Sequence, residues 1–114
     1  MNKKKIYIYI YQEDLIRYMV SQEPWTISQL VEDLNQRYSQ EDMQKLRTDT
    51  ITNYLYAKGY LTVDDKNRKR PTQKGRLLGI KVGRITDKEG KEYEVNLYNA
   101  RAKKYILDNL YEMI

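Results

Sequence analysis

Isoleucine and tyrosine alternate over Ile6-Tyr7-Ile8-Tyr9-Ile10-Tyr11, and a two-residue period predicts a β-strand within residues 1–11, with Tyr7, Tyr9 and Tyr11 on one face. The period then changes. Leu15, Ile16 and Met19 fall at helical spacing, so a first short helix is expected from Gln12 to Met19, ended by Gln22-Glu23-Pro24. After the short apolar stretch Trp25-Thr26-Ile27, Ser28 is the expected N-cap of a second helix, whose Leu30, Val31, Leu34 and Tyr38 form a core face. Ser39 repeats the capping pattern before Met43 and Leu46. Thr48 is expected to cap a third helix with Ile51, Tyr54 and Leu55 inward, closed by Gly59 as a left-handed C-terminal residue.

Beyond Gly59 the pattern shortens again. Tyr60-Leu61-Thr62-Val63 reads as a strand, Asp64 to Asn67 as a turn, and Lys69 to Pro71 as a brief return strand that ends where proline cannot donate to a ladder. Thr72 is placed to cap a short helix through Leu78. A second hairpin follows: Ile80 to Thr86 and Lys91 to Leu97 flank Asp87-Lys88-Glu89-Gly90, with Tyr93, Val95 and Leu97 alternating toward a buried face. Asn99 caps a last helix with a stripe of Ala102, Tyr105, Ile106, Leu110, Met113 and Ile114. The expectation is one α+β domain over 1–114: a strand at 1–11, a helical part at 12–58, a hairpin at 60–71, a short helix at 72–79, a second hairpin at 80–98 and a helix at 99–114.

Composition narrows the chemistry. The 114 residues contain no cysteine and no histidine, which removes disulfides, thiol nucleophiles, the usual zinc ligands and the commonest general base near neutral pH. No metal and no cofactor are expected. Glycines 59, 75, 79, 83 and 90 fit no phosphate-cradling spacing. Carboxylates pair as Glu13-Asp14, Glu32-Asp33, Glu41-Asp42 and Asp64-Asp65; neighbours on a helix do not face each other, so these read as surface or first-turn charges, and the chain reads as non-enzymatic. Its longest apolar run is far below the roughly 20 residues of a membrane span. A cytoplasmic protein is the expectation.

The net charge is +5, and its distribution is polarised. Gln12 to Asp49 holds eight acidic and four basic residues, whereas Lys66 to Arg84 holds eight basic residues and no acidic one. A cluster of like charges repels itself until an anionic partner neutralises it, which points to nucleic acid. Twelve tyrosines and no phenylalanine form the other bias. Tyr18, Tyr38, Tyr54, Tyr93 and Tyr105 lie on apolar faces and are expected in the core. The Ile-Tyr strand is also a candidate homodimer seam, because an open edge of that composition invites pairing.

The order of capped helix, short element, capped helix ending in Lys58-Gly59-Tyr60-Leu61, charged hairpin and Pro71-Thr72-Gln73-Lys74-Gly75 resembles the winged helix-turn-helix superfamily, here with an added C-terminal hairpin and helix. Ile51-x-x-Tyr54-Leu55-x-x-x-Gly59-Tyr60-Leu61 is similar to its recognition helix and first wing strand, and Thr72-Gln73-Lys74-Gly75-Arg76 to the Thr-x-x-Gly helix start after the wing. The tail, Leu97-Tyr98-Asn99 with Ile106-Leu107-Asp108-Asn109-Leu110, is similar to small proteins of Gram-positive bacteria and their phages. The resemblance implies a small bacterial or phage regulator of transcription that binds double-stranded DNA. Arg47, Thr48, Thr50, Thr52, Asn53, Tyr56 and Lys58 would then enter a major groove, and Lys66, Arg68, Lys69, Arg70, Lys74, Arg76, Lys81 and Arg84 would meet phosphates. Asp49 at the start of that helix would repel the backbone. The competing expectation is a phage-type inhibitor or adaptor, anti-CRISPR-like, that offers its acidic side, Glu32 to Asp49, to a host nuclease or nucleoprotein complex.

Overall fold

The computed structural model describes residues 6–7, 18–38 and 43–114, and over these the chain is a mixed α+β structure. Its elements are β1 (Ile6–Tyr7), α1 (Ile27–Tyr38), β2 (Met43–Gln44), α2 (Thr48–Ala57), β3 (Leu61–Val63), β4 (Lys69–Pro71), α3 (Gln73–Leu78), β5 (Ile80–Thr86), β6 (Glu92–Tyr98), α4 (Ala100–Asp108) and α5 (Leu110–Met113). Strands pair in twos: β1 with β2 in parallel, β3 with β4 and β5 with β6 antiparallel.

Ile6 and Tyr7 form a strand as expected, with Met43 and Gln44 as partners. Residues 1–5 and 8–11 of the predicted strand lie outside the described residues, as does the predicted first helix except for Tyr18 and Met19. Those two are not helical. Met43–Gln44 of the expected short element is a strand, and Ser39, its expected cap, lies outside the described residues.

Two caps differ from expectation. Thr26, not Ser28, starts α1: its Oγ1 accepts the Gln29 N–H at 3.2 Å while Gln29 Oε1 accepts the Thr26 N–H at 2.8 Å. This reciprocal box satisfies two donors where a serine alone satisfies one. Thr48 lies inside α2, and Arg47 holds the cap position in extended conformation without a side-chain cap bond. Thr72 and Asn99 cap α3 and α4 as predicted, accepting from Gly75 and Ala102. Gly59 ends α2 with φ +84°.

The expected single C-terminal helix is two. Asn109 separates α4 from α5, and its side-chain amide donates to Tyr105 O at 2.8 Å. The Asn109 backbone N–H also reaches Tyr105 O and Ile106 O, both at 3.2 Å, so side chain and backbone share the Tyr105 acceptor where the two helices meet.

The core joins Leu30, Val31 and Leu34 of α1, Ile51 and Leu55 of α2, Leu61 of β3, and Ala102, Ile106, Leu107 and Leu110 from the C-terminal helices. Helix α2 packs against α1, β3 and α5, so it is held on several sides while one face stays open. Tyr18, Tyr38, Tyr54 and Tyr105 pack against this core. Tyr93 does not: it is 45% exposed, because the β5–β6 hairpin is buried at its base rather than along a face. There the cross-strand pair Ile80 and Tyr98 is buried, and Tyr98 exchanges backbone hydrogen bonds with Trp25 at 3.0 and 2.8 Å. Ile114 also lies outside the core, at the surface.

Two buried polar groups stand out. Lys103 is 1% exposed; its ammonium donates to Glu23 O at 2.7 Å and lies 4.2 Å from the Trp25 ring, and burial holds its pKa below the ordinary lysine value. The Tyr98 hydroxyl makes no hydrogen bond of ordinary geometry among the described residues, and burial pushes its pKa from 10 to about 12, with the nearby Asn96 side chain opposing. The folded state therefore holds this proton more tightly than the unfolded chain. Stability from it is complete below pH 10 and is lost as pH rises toward about 12. Tyr98→Phe should be close to neutral at pH 7, since it deletes an unpaired hydroxyl. In urea melts it should gain on wild type by about 2–3 kcal/mol across that alkaline window; parallel pH profiles would contradict this account.

Candidate nucleic-acid interface

On the open side of α2, Asp49, Asn53 and Tyr56 fall at i, i+4 and i+7 and share a face, with Thr52 beside them. Asn53 and Tyr56 are exposed and Thr52 is half-buried. The Asp49 carboxylate does not stand alone: Arg47 Nη2 lies 3.1 Å from its Oδ2, in an exposed pair that masks the charge at the start of the helix. Thr48 and Thr50 are half-buried, and Arg47 and Thr50 also line a cleft with Leu46, Met113 and Ile114. The predicted groove-facing residues are thus divided between two places. Lys58 is exposed past the end of α2, its ammonium 5.4 Å from the Tyr54 ring.

The β3–β4 hairpin is built by Asp64. Its Oδ1 accepts the N–H groups of Lys66 at 3.0 Å and Arg68 at 2.8 Å, its Oδ2 accepts from Arg68 Nε at 3.0 Å, and Asn67 supplies the left-handed residue at φ +61°. The Arg68 backbone N–H, followed by its guanidinium, holds this carboxyl below the usual carboxylate range. A short side chain that accepts from two backbone donors closes the turn without help from the rest of the fold.

The cations of this region divide by what they touch. Lys69 turns back onto α2 and donates to Asn53 Oδ1 at 2.6 Å and Thr52 Oγ1 at 3.1 Å. Arg70 is half-buried, with Nη1 at 3.1 Å from Lys69 O and 3.5 Å from Asn96 Oδ1. Lys74 donates to Lys58 O at 2.8 Å and lies 4.3 Å from the Tyr60 ring, so it closes the C-terminal end of α2. Lys66 and Arg68 are exposed at the hairpin tip. Arg84 lies 3.8 Å from Glu92 and lines a hollow with Arg68, Tyr93 and Glu94. Arg76 and Lys81 line another cleft, with Pro24, Ile80 and Leu97.

No family model, curated protein or solved structure matches this chain. Among the described residues, no helix is long and apolar enough to cross a membrane, and no three acidic side chains gather as metal ligands. Of the paired carboxylates, Asp33 takes the Tyr18 hydroxyl and Arg37, and Asp64 takes Arg68. Glu13, Asp14, Glu41 and Asp42 lie outside the described residues.

The contact between Lys69 and Asn53 escaped the sequence reading. A separation of 16 residues brings them together only once the hairpin has folded over α2. The buried Lys103 did leave a signal. With Ile106, Leu107 and Leu110 it makes an i, i+3, i+4, i+7 series, which places it inside the apolar stripe.

Proposed function

We propose that this chain is a winged-helix module that binds double-stranded DNA, with α2 as the groove-entering helix and β3–β4 as the wing. The observation that carries the reading is the Lys69 ammonium seated on Thr52 and Asn53. It fastens the basic hairpin to the polar face of α2, so the two present one surface to a ligand. Two of the carboxylates at its margins, Asp49 and Asp64, are each matched by an arginine within the protein, while Asp65 is exposed in the hairpin turn. The Arg47 guanidinium offsets part of the repulsion that Asp49 at the helix start implies. Phosphate contacts by lysine and arginine would supply affinity, and polar side chains on α2 would read base edges.

Binding of purified protein to random-sequence duplex DNA, followed by fluorescence anisotropy across a salt series, tests this directly. Four to six cations meeting phosphates give a log-log slope of roughly −4 to −5. Absence of binding at low salt would overturn the reading. It would favour the second one, a protein-binding adaptor or inhibitor, for which Tyr56, Val63 and Tyr93 provide exposed apolar contact surface at 51%, 40% and 45% exposure. A nuclease-resistant complex with a partner protein would mark that outcome.

A further inference from the structure

Resting on the DNA-binding reading, the geometry at Asn53 also bears on which base is read. An asparagine reads adenine with both ends of its amide, the nitrogen donating to N7 and the oxygen accepting from the N6 amino group. In this protein the oxygen is engaged. An ammonium has three donors and no acceptor, so Lys69 at 2.6 Å fixes Asn53 Oδ1 toward itself and leaves Nδ2 as the free end of the amide. Thr52 Oγ1 takes a second Lys69 donor at 3.1 Å. An adenine amino group approaching Asn53 Oδ1 would therefore meet a positive charge already on that oxygen. Guanine presents two acceptors, N7 and O6, on the same edge and no donor to be repelled.

We infer that Lys69 and Asn53 form a donor-only reader that selects guanine over adenine at the base pair facing Asn53. Lys69 is here a specificity-determining residue that acts chiefly by orienting its neighbour and setting its charge, rather than one more phosphate contact. Its half-buried place on β4, with the ammonium turned onto α2, agrees with that role.

The experiment is selection from a duplex pool with a randomised core by wild type, Lys69→Met and Asn53→Asp. Anisotropy then follows on the wild-type-selected duplex and its single base-pair variants. Wild type should favour guanine over adenine at one position by about tenfold. Lys69→Met keeps the apolar stem, frees the amide oxygen and should shift that position to adenine. Asn53→Asp keeps the Lys69 contact, turns the free end into an acceptor and should shift the position to cytosine, whose N4 amino group donates. Thermal melts check that each variant is folded, and Asn53→Asp carries the test if Lys69→Met does not fold. Retention of the pool with one unchanged base preference in wild type and the folded variants overturns the base-reading inference alone. Failure of wild type to retain any duplex overturns the DNA-binding reading and this inference with it.

Discussion

Changing Lys66, Arg68 and Lys69 together to glutamine is expected to weaken binding to random-sequence duplex DNA by about 30-fold at low salt and to reduce the magnitude of the salt slope by roughly 2, the share of the two tip cations. These three are chosen on structural grounds. Lys66 and Arg68 are exposed at the hairpin tip, and Lys69 links that tip to α2. Arg70 is left in place because its guanidinium reaches Lys69 O and Asn96, so its removal would disturb the junction between the two hairpins. At Lys66 and Arg68 the loss should be nearly uniform across sequences, since phosphate contacts carry no base information, while the Lys69 change should also alter the preference at the base pair facing Asn53. Anisotropy on the folded triple variant reads both quantities. Unchanged affinity and slope would mean that the hairpin does not face DNA.

Gly75→Ala is expected to lower the melting temperature by about 10 °C or more, through a loss of about 2–4 kcal/mol. The direction of the result is itself informative. In an unconstrained helix, alanine is favoured over glycine by about 1 kcal/mol, so propensity alone predicts a gain. Here a Cβ on Gly75 would lie 2.0 Å from the Tyr60 carbonyl oxygen. That oxygen accepts the Thr72 N–H at 3.1 Å, in the same turn where Thr72 Oγ1 accepts the Gly75 N–H at 3.1 Å. The Tyr60 carbonyl on one side and Pro71 Cβ at 3.3 Å leave no flexible side-chain end to give way. A side chain at this position pushes α3 off the base of the β3–β4 hairpin. A circular-dichroism melt within about 2 °C of wild type would contradict the steric account.

Gly75 also shows how much the sequence discloses. The Thr72-x-x-Gly75 spacing was visible as a helix start, and the cap it predicts is present. The reason for glycine was not, since it lies in a carbonyl 15 residues earlier in the chain. The same division runs through the molecule. Periodicity located the inner faces of α1 and α2, the two antiparallel hairpins and the caps at Thr72 and Asn99, because each depends on residues within a few positions of one another. It misplaced the start of α1, where Gln29 decides in favour of Thr26, and it missed the break at Asn109, where a side chain competes with the backbone. In the candidate interface the basic residues were legible as a run of charge. Their separate assignments were not: Lys69 to Asn53, Lys74 to the end of α2, and Arg70 to the second hairpin. Local spacing cannot say which cations a fold keeps for itself.

The meeting of Trp25 with Tyr98 and Lys103 has a consequence for how the chain assembles. Trp25 is the sole tryptophan, and beside it the Glu23–Lys103 hydrogen bond joins residues 80 positions apart. Closing so large a loop is entropically expensive and late-rewarded, so this clasp should form after the local helices and hairpins, as the slow step of folding. Indole emission in stopped-flow refolding would then report the last event rather than the first collapse. A chain cut after the first hairpin would lack the clasp altogether, making the helix that carries Asn53 dependent for its footing on the far end of the polypeptide.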